Sequence, residues 1–197
     1  YVLDLLFNLK KQKGFLLTIG DQDSMEAVEE IRRRSDGFFK DIKEYFEANS
    51  KKEDSDSLRI KEKNFTENSL SLPLYTLIES LQAAKKNSKD KEDEVEIMSY
   101  IRKIGALKDS IDTILSQAAG NYVYWIECSK NKKINKISIN TAPVDVGEIL
   151  GQELFAEEKP IIFTSATLST GSGSFKYFRE RVGIKEAEEL KLGSPFD

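Results

Sequence analysis

Residues 160–170 read PIIFTSATLST, and the reading of this stretch decides where the chain's chemistry is sought. Ile161, Ile162 and Phe163 form a β-branched and aromatic run bounded by Pro160, the pattern of a fully buried strand in a parallel sheet. Thr164, Ser165 and Thr167 follow at once, so three hydroxyls stand where the chain leaves that strand. In open α/β folds this carboxyl edge is where ligands bind. A polar turn that merely ends a strand is the competing reading, since Ser and Thr are ordinary turn residues.

Upstream of the stretch, residues 122–126 are aromatic and β-branched, a lysine- and asparagine-rich turn follows, and Ile134, Ile137 and Ile139 alternate with polar residues. Together these predict a β-hairpin. Residues 144–155 then predict a short helix with Asp145 as its cap, and helix followed by strand is the α/β pattern. Downstream, Gly171 and Gly173 make a flexible Gly/Ser turn before a helix over residues 175–181. Amides at that helix start offer a phosphate contact, with a plain linker as the alternative.

The first 120 residues have a different period. Leu3, Leu5, Leu6, Phe7 and Leu9 give an apolar helix or strand, and residues 15–17 a second short apolar run after Gly14. Met25, Val28, Ile31, Phe38, Phe39, Ile42, Tyr45 and Phe46 recur at three- and four-residue steps, predicting a long amphipathic helix capped by Asp23 or Ser24, with Gly37 as a point for a bend. Residues 58–60 read as a short strand. Leu70, Leu74, Leu77, Ile78, Leu81 and Ala84 mark a second helix. Val95, Met98, Ile101, Ile104, Leu107, Ile111, Ile114 and Ala118 mark a third, stopped by Gly120 and Asn121. Three such stripes can bury one another as a bundle.

Composition narrows the chemistry. The chain has 197 residues, 39% of them apolar, enough for a substantial core. Lys+Arg total 30 against 34 Asp+Glu, a net charge of −4, so any contact with a polyanion must be local. With no histidine the chain holds no His base and no Ser-His-Asp triad of its own. One cysteine, Cys128, cannot build a disulfide framework, a zinc site or a four-cysteine iron–sulfur cluster. A reducing cytoplasm fits that usage, and no stretch approaches the roughly 20 apolar residues of a membrane span. The chain begins and ends inside patterned sequence, as a piece of a longer protein would.

Local positive charge gathers in two places. Lys130, Lys132, Lys133 and Lys136 lie together on the hairpin turn, and Arg32, Arg33 and Arg34 are consecutive. Either group can meet phosphates, and either can be an ordinary solvated surface. Tyr122, Tyr124 and Trp125 can stack on bases or fill a core.

From Thr141 onward the chain resembles the DinG and XPD family of superfamily 2 DNA helicases. Ser165, Ala166 and Thr167 match the family's S-A-T element, helicase motif III, and Ser194, Pro195 and Phe196 match the S-P-F that opens the second motor domain. The NYVYWIE of residues 121–127 and the Ala142-Pro143 step match the approach to motif III. The resemblance implies a mixed, mainly helical fold: an antiparallel helical arch, then a β-hairpin and a partial RecA-like α/β segment. Residues 1–20 are then the tail of the first motor domain, 21–118 the arch, 119–168 the return to the first motor, and 169–197 the start of the second.

The same resemblance implies an ATP-dependent DNA helicase active in replication or repair, on single-stranded or forked DNA. Ser165, Ala166 and Thr167 are its expected coupling residues. Thr164, Lys132, Lys133, Arg32 and Arg33 are the expected DNA contacts. Neither G-x-x-x-x-G-K-[ST] nor D-E-A-H occurs in the chain, so ATP and Mg2+ are expected to bind the complete protein and not this segment, and an iron–sulfur cluster is not encoded here. A non-catalytic helical module that binds protein or DNA is the alternative.

Overall fold

The computed structural model describes residues 2–50, 56–129, 136–156, 159–171 and 173–193. Two compact units divide the chain, Tyr1–Ala142 and Pro143–Asp197. Of the described residues 55% are helical, and three strands form an antiparallel sheet, the mixed, mainly helical class expected.

The first unit opens with α1 (Val2–Leu6), a 3-10 turn (Leu9–Lys11) and α2 (Phe15–Ile19). The predicted long helix is α3 (Gln22–Asn49), uninterrupted at Gly37. Its cap is Asp21, whose carboxylate accepts the Ser24 N–H at 3.3 Å, and not Asp23 or Ser24. All three are cap-forming residues, and the earliest takes the amide while Asp23 falls in the first turn, where a negative charge suits the helix dipole. Met25, Val28, Ile31, Phe38, Ile42 and Phe46 are buried along one stripe as expected, whereas Phe39 is exposed.

Helices α4 (Ser71–Asn87) and α5 (Lys91–Ser116) are joined by three residues, so they pack as an antiparallel pair. Leu70, Leu74, Leu77 and Leu81 face Ile97, Tyr100, Ile104, Ile111, Ile114 and Leu115 in one core. That differs from the expected α5 stripe, because Val95, Met98 and Leu107 are exposed. Two apolar rows compete on this helix, and the one beginning at Ile97 is turned inward. Its end also comes early: Gln117 adopts φ 47° as the C-cap, ahead of Gly120. The loop after β1 (Ser57–Arg59) supplies what a glycine stop would have. Asn64 N–H donates to Leu115 O at 2.7 Å and Gln117 Nε2 to Glu62 O at 2.8 Å, satisfying carbonyls at the helix end and in the facing loop.

One polar cluster pins the α4–α5 pair. Asp112 accepts from Asn68 Nδ2 at 2.5 Å, Ser71 Oγ at 3.3 Å and Lys108 Nζ at 2.8 Å, while Asn68 Oδ1 accepts the Ser71 N–H at 3.1 Å and so caps α4. Burial pushes the Asp112 carboxyl up, but the bonds from Lys108, Asn68 and Ser71 outweigh it and hold it below the ordinary 3.8. A folded-state value below the unfolded one stabilises the fold above the unfolded value and stops doing so as pH falls through the folded one. Asp112→Asn is therefore expected to lower the urea midpoint at pH 7, with the gap from wild type shrinking below about pH 4. A gap that stays constant down to pH 2 would contradict this.

The sheet runs in the order β1, β2 (Tyr122–Cys128), β3 (Ile137–Pro143). Leu58 stands opposite Ile126 and Arg59 opposite Trp125 in the antiparallel β1–β2 pair. Both the short first strand and the hairpin were legible. Tyr124 and Ile126 point into the core, and the Tyr124 hydroxyl donates to Ala119 O at 3.0 Å.

The second unit holds α6 (Gly147–Glu153) and α7 (Lys176–Val182). Asp145 caps α6 as expected, its carboxylate accepting the Gly147 N–H at 2.9 Å. The expected inner strand differs. Residues 160–165 are irregular, with Ile161 39%, Ile162 86% and Phe163 40% exposed. A strand exists only through a ladder to neighbours, and the described sheet belongs to the first unit.

Candidate functional site

Phe163 fixes where the S-A-T tripeptide begins. Its ring stands edge-on to Phe155, just past α6, at 6.2 Å, and to Phe178 of α7 at 5.4 Å. Such pairs add about 0.5–1.5 kcal/mol beyond area burial. The two short helices are joined as tightly as backbones permit. Gly183 has φ +77°, and a Cβ built there would lie 1.9 Å from Gly147 O.

Held by that ring, the chain turns at once. Ser165 Oγ and Thr167 Oγ1 are 3.0 Å apart, and the Thr167 N–H donates to Ser165 Oγ at 3.2 Å. The two hydroxyls carry two protons. One is used between them, which leaves the other for a partner beyond the pair. Thr164, Ser165, Ala166 and Thr167 are all exposed, and Ala166 leaves room for close approach. No titratable group takes part in these bonds, so the arrangement suits hydrogen-bond relay and not acid–base chemistry.

The turn beyond is closed on itself. Thr170 N–H donates to Ser174 O at 2.9 Å and Gly173 N–H to Thr170 O at 2.7 Å, while Ser174 Oγ accepts the Lys176 N–H at 3.2 Å. The Gly173 and Lys176 amides are thus committed inside the turn. Residues 194–196, the expected S-P-F landmark, lie outside the described residues.

The basic candidates are dispersed in role. Arg32 Nη2 donates to Asp4 Oδ1 at 2.8 Å and to Phe7 O at 2.9 Å, tying α3 to α1. That guanidinium lowers the Asp4 carboxyl below its ordinary range. Arg33 and Arg34 both pair with Glu30, and Arg33 remains 76% exposed. Lys130, Lys132 and Lys133 lie outside the described residues; Lys136 is exposed. Among the aromatics Tyr124 is core, Tyr122 packs against it, and the half-buried Trp125 donates its indole N–H to Glu127 Oε1 at 2.7 Å.

Over 193 aligned residues the chain is 25% identical to the 3'-5' exonuclease DinG of Bacillus subtilis, an alignment covering 87% of this chain and 21% of that protein. It is 39% identical over 75 residues to the probable ATP-dependent helicase YpvA of the same organism, covering 38% of this chain and 11% of that protein. The chain is similar to DinG-like helicases over these stretches. A third match, 31% identical over 99 residues, is to the ATP-dependent DNA helicase YoaA of Haemophilus influenzae, covering 50% of this chain and 15% of that protein. The chain thus spans about a fifth, or less, of the length of these proteins. No family model and no solved structure matches it.

Two features of the chain escaped sequence reasoning. The Gly147–Gly183 approach joins positions 36 apart with no local signal. Pairing of the arginine run did have one, since Glu29 and Glu30 precede it by three and four residues, the spacing at which helical side chains meet.

Proposed function

We propose that this chain is the middle of a DinG-like ATP-dependent DNA helicase, carrying the arch, motif III and the start of the second motor domain. The observation that carries the reading is the Ser165–Thr167 hydroxyl pair with its spare donor, set directly behind the Phe163 anchor. In this reading residues 21–118 are the arch, 119–168 return to the first motor, and 169–197 open the second. The exposed Ile161–Ile162–Phe163 run is the strand on which the rest of the first motor packs, gaining there the ladder it needs.

ATP with Mg2+ would supply the phosphoryl chemistry in the complete protein. The residues present do not fit that group: the chain lacks both nucleotide-binding motifs, and among the described residues no cluster of three or more potential metal ligands is gathered. Ser165 and Thr167 offer an O–H to a carboxylate of the acidic motif, and Thr164 and its neighbours meet the DNA strand. Lys132, Lys133, Arg32 and Arg33 contribute phosphate contacts. The complete protein works in the cytoplasm on single-stranded or forked DNA during replication or repair, together with the other motor domains of its own polypeptide.

The test is release of a labelled strand from a forked duplex by the complete protein. Release that requires ATP is expected. Binding of the fork without release at any ATP concentration would instead favour a non-catalytic helical interaction module.

A further inference from the structure

The loop between α1 and α2 carries Lys10, Lys11 and Lys13, all exposed, in a chain of net charge −4. Several cations on the helices are paired: Lys40 with Glu44, Lys43 with Glu47, Lys108 with Asp112, Lys176 with Glu180 and the arginine run with Asp4, Glu29 and Glu30. Among the described residues none of the three loop lysines lies within ion-pair distance of a carboxylate.

The loop is also held in shape. Asn8 and Lys13 face each other in an antiparallel bridge, Asn8 N–H donating to Lys13 O at 2.8 Å. Asn8 Oδ1 accepts the Lys11 N–H at 3.0 Å, and Gln12, at φ 47°, donates from its side chain to Leu9 O at 2.8 Å. At the base, Arg32 holds Phe7 O, and Gly14 at φ +138° permits an approach in which a Cβ would lie 2.4 Å from Leu6 O. Leu6 and Phe7 are buried beneath it. Six residues are thus fixed from within, and what they project is three unpaired ammonium groups beside a half-exposed Leu9.

We propose that this loop is a docking point for the sugar-phosphate backbone of a DNA strand, a surface separate from the hairpin lysines and the arginine run. The inference rests on the helicase reading above. A preordered loop loses little conformational freedom on binding, and each lysine that meets a phosphate releases a counterion, so the contact shows in salt dependence. Arg32, through its bond to Phe7 O, ties the base of the loop to α3.

The experiment measures binding of fluorescein-labelled oligo-dT to the complete protein across salt, for wild type, Lys10→Gln/Lys11→Gln/Lys13→Gln and Lys10→Arg/Lys11→Arg/Lys13→Arg. The slope of log affinity against log salt should become shallower by about 2 in the glutamine variant, at roughly 0.7 per lost single-strand contact. From about 50 to about 200 mM salt, wild type should then lose roughly 16-fold more affinity than that variant. The arginine variant should keep the wild-type slope. Wild-type slope and affinity in the glutamine variant, in a protein whose ATP hydrolysis still responds to DNA, overturns the loop assignment and leaves the helicase reading standing. A loss in the arginine variant equal to that in the glutamine variant also overturns it, because charge would not be the cause. No binding by wild type overturns both.

Discussion

Replacing Ser165 and Thr167 together with alanine in the complete protein is expected to leave ATP binding intact while cutting the strand separation obtained per ATP hydrolysed. The wild-type pair spends one hydroxyl proton internally and leaves one for a partner beyond the pair, so the double variant loses that donor and the turn that aims it. In the complete protein the acceptor would be buried, and an unmade hydrogen bond there costs about 1–3 kcal/mol, or roughly 5- to 150-fold in coupling. Ser165→Thr is the informative companion, because it keeps the hydroxyl and should retain most of the coupling. Equal unwinding per ATP in the double variant and wild type would remove these hydroxyls from the mechanism.

The second large effect is structural. Gly183→Ala should dissolve the packing of α6 on α7, since its Cβ would sit 1.9 Å from Gly147 O and 2.7 Å from Gly147 C, both backbone atoms that cannot swing aside. Positive φ adds about 1–2 kcal/mol to the steric cost. Gly20→Ala separates the two contributions. Gly20 also has positive φ, +68°, but nothing lies within 4 Å of its Cβ position, so only the conformational part applies. Amide exchange reads the difference: the Gly183→Ala protein should lose protection at Leu150, Leu154 and Ile184, whose N–H groups bond Val146, Leu150 and Arg179 carbonyls. Gly20→Ala should leave those amides protected. Equal protection in both variants would show that the two short helices do not depend on the glycine contact.

How much of this was legible depends on whether the deciding contact is local. The three long helices follow from apolar spacing, and the hairpin from alternation, because those patterns repeat within a few residues. On α5 the pattern holds two rows, one through Val95 and Met98 and one through Ile97 and Tyr100. The packing partners choose between them, α4 on one side and Phe15, whose ring stacks on Tyr100 at 5.5 Å, on another. At the start of α3, three cap-forming residues within four positions leave the boundary open until Asp21 claims the Ser24 amide. The buried-strand reading of residues 161–163 has the right composition, but burial of a strand is a property of its neighbours. Placement of Phe163 against Phe155 and Phe178 shows what that segment packs on within its own unit. The S-A-T tripeptide itself was found by motif, and its mutual hydroxyl bond only by geometry. The lysine loop was unreadable from composition, since neither the bonds that hold its backbone nor the lack of an ion pair to its lysines among the described residues leaves a mark on spacing.

The account stands most directly on ATP hydrolysis by the complete protein, measured with and without single-stranded DNA. Hydrolysis that rises when DNA is added, with the isolated chain of residues 1–197 inactive under the same conditions, is the expected result. A complete protein whose ATP hydrolysis is absent, or indifferent to DNA, would contradict the claim that this chain transmits between a nucleotide and a DNA strand.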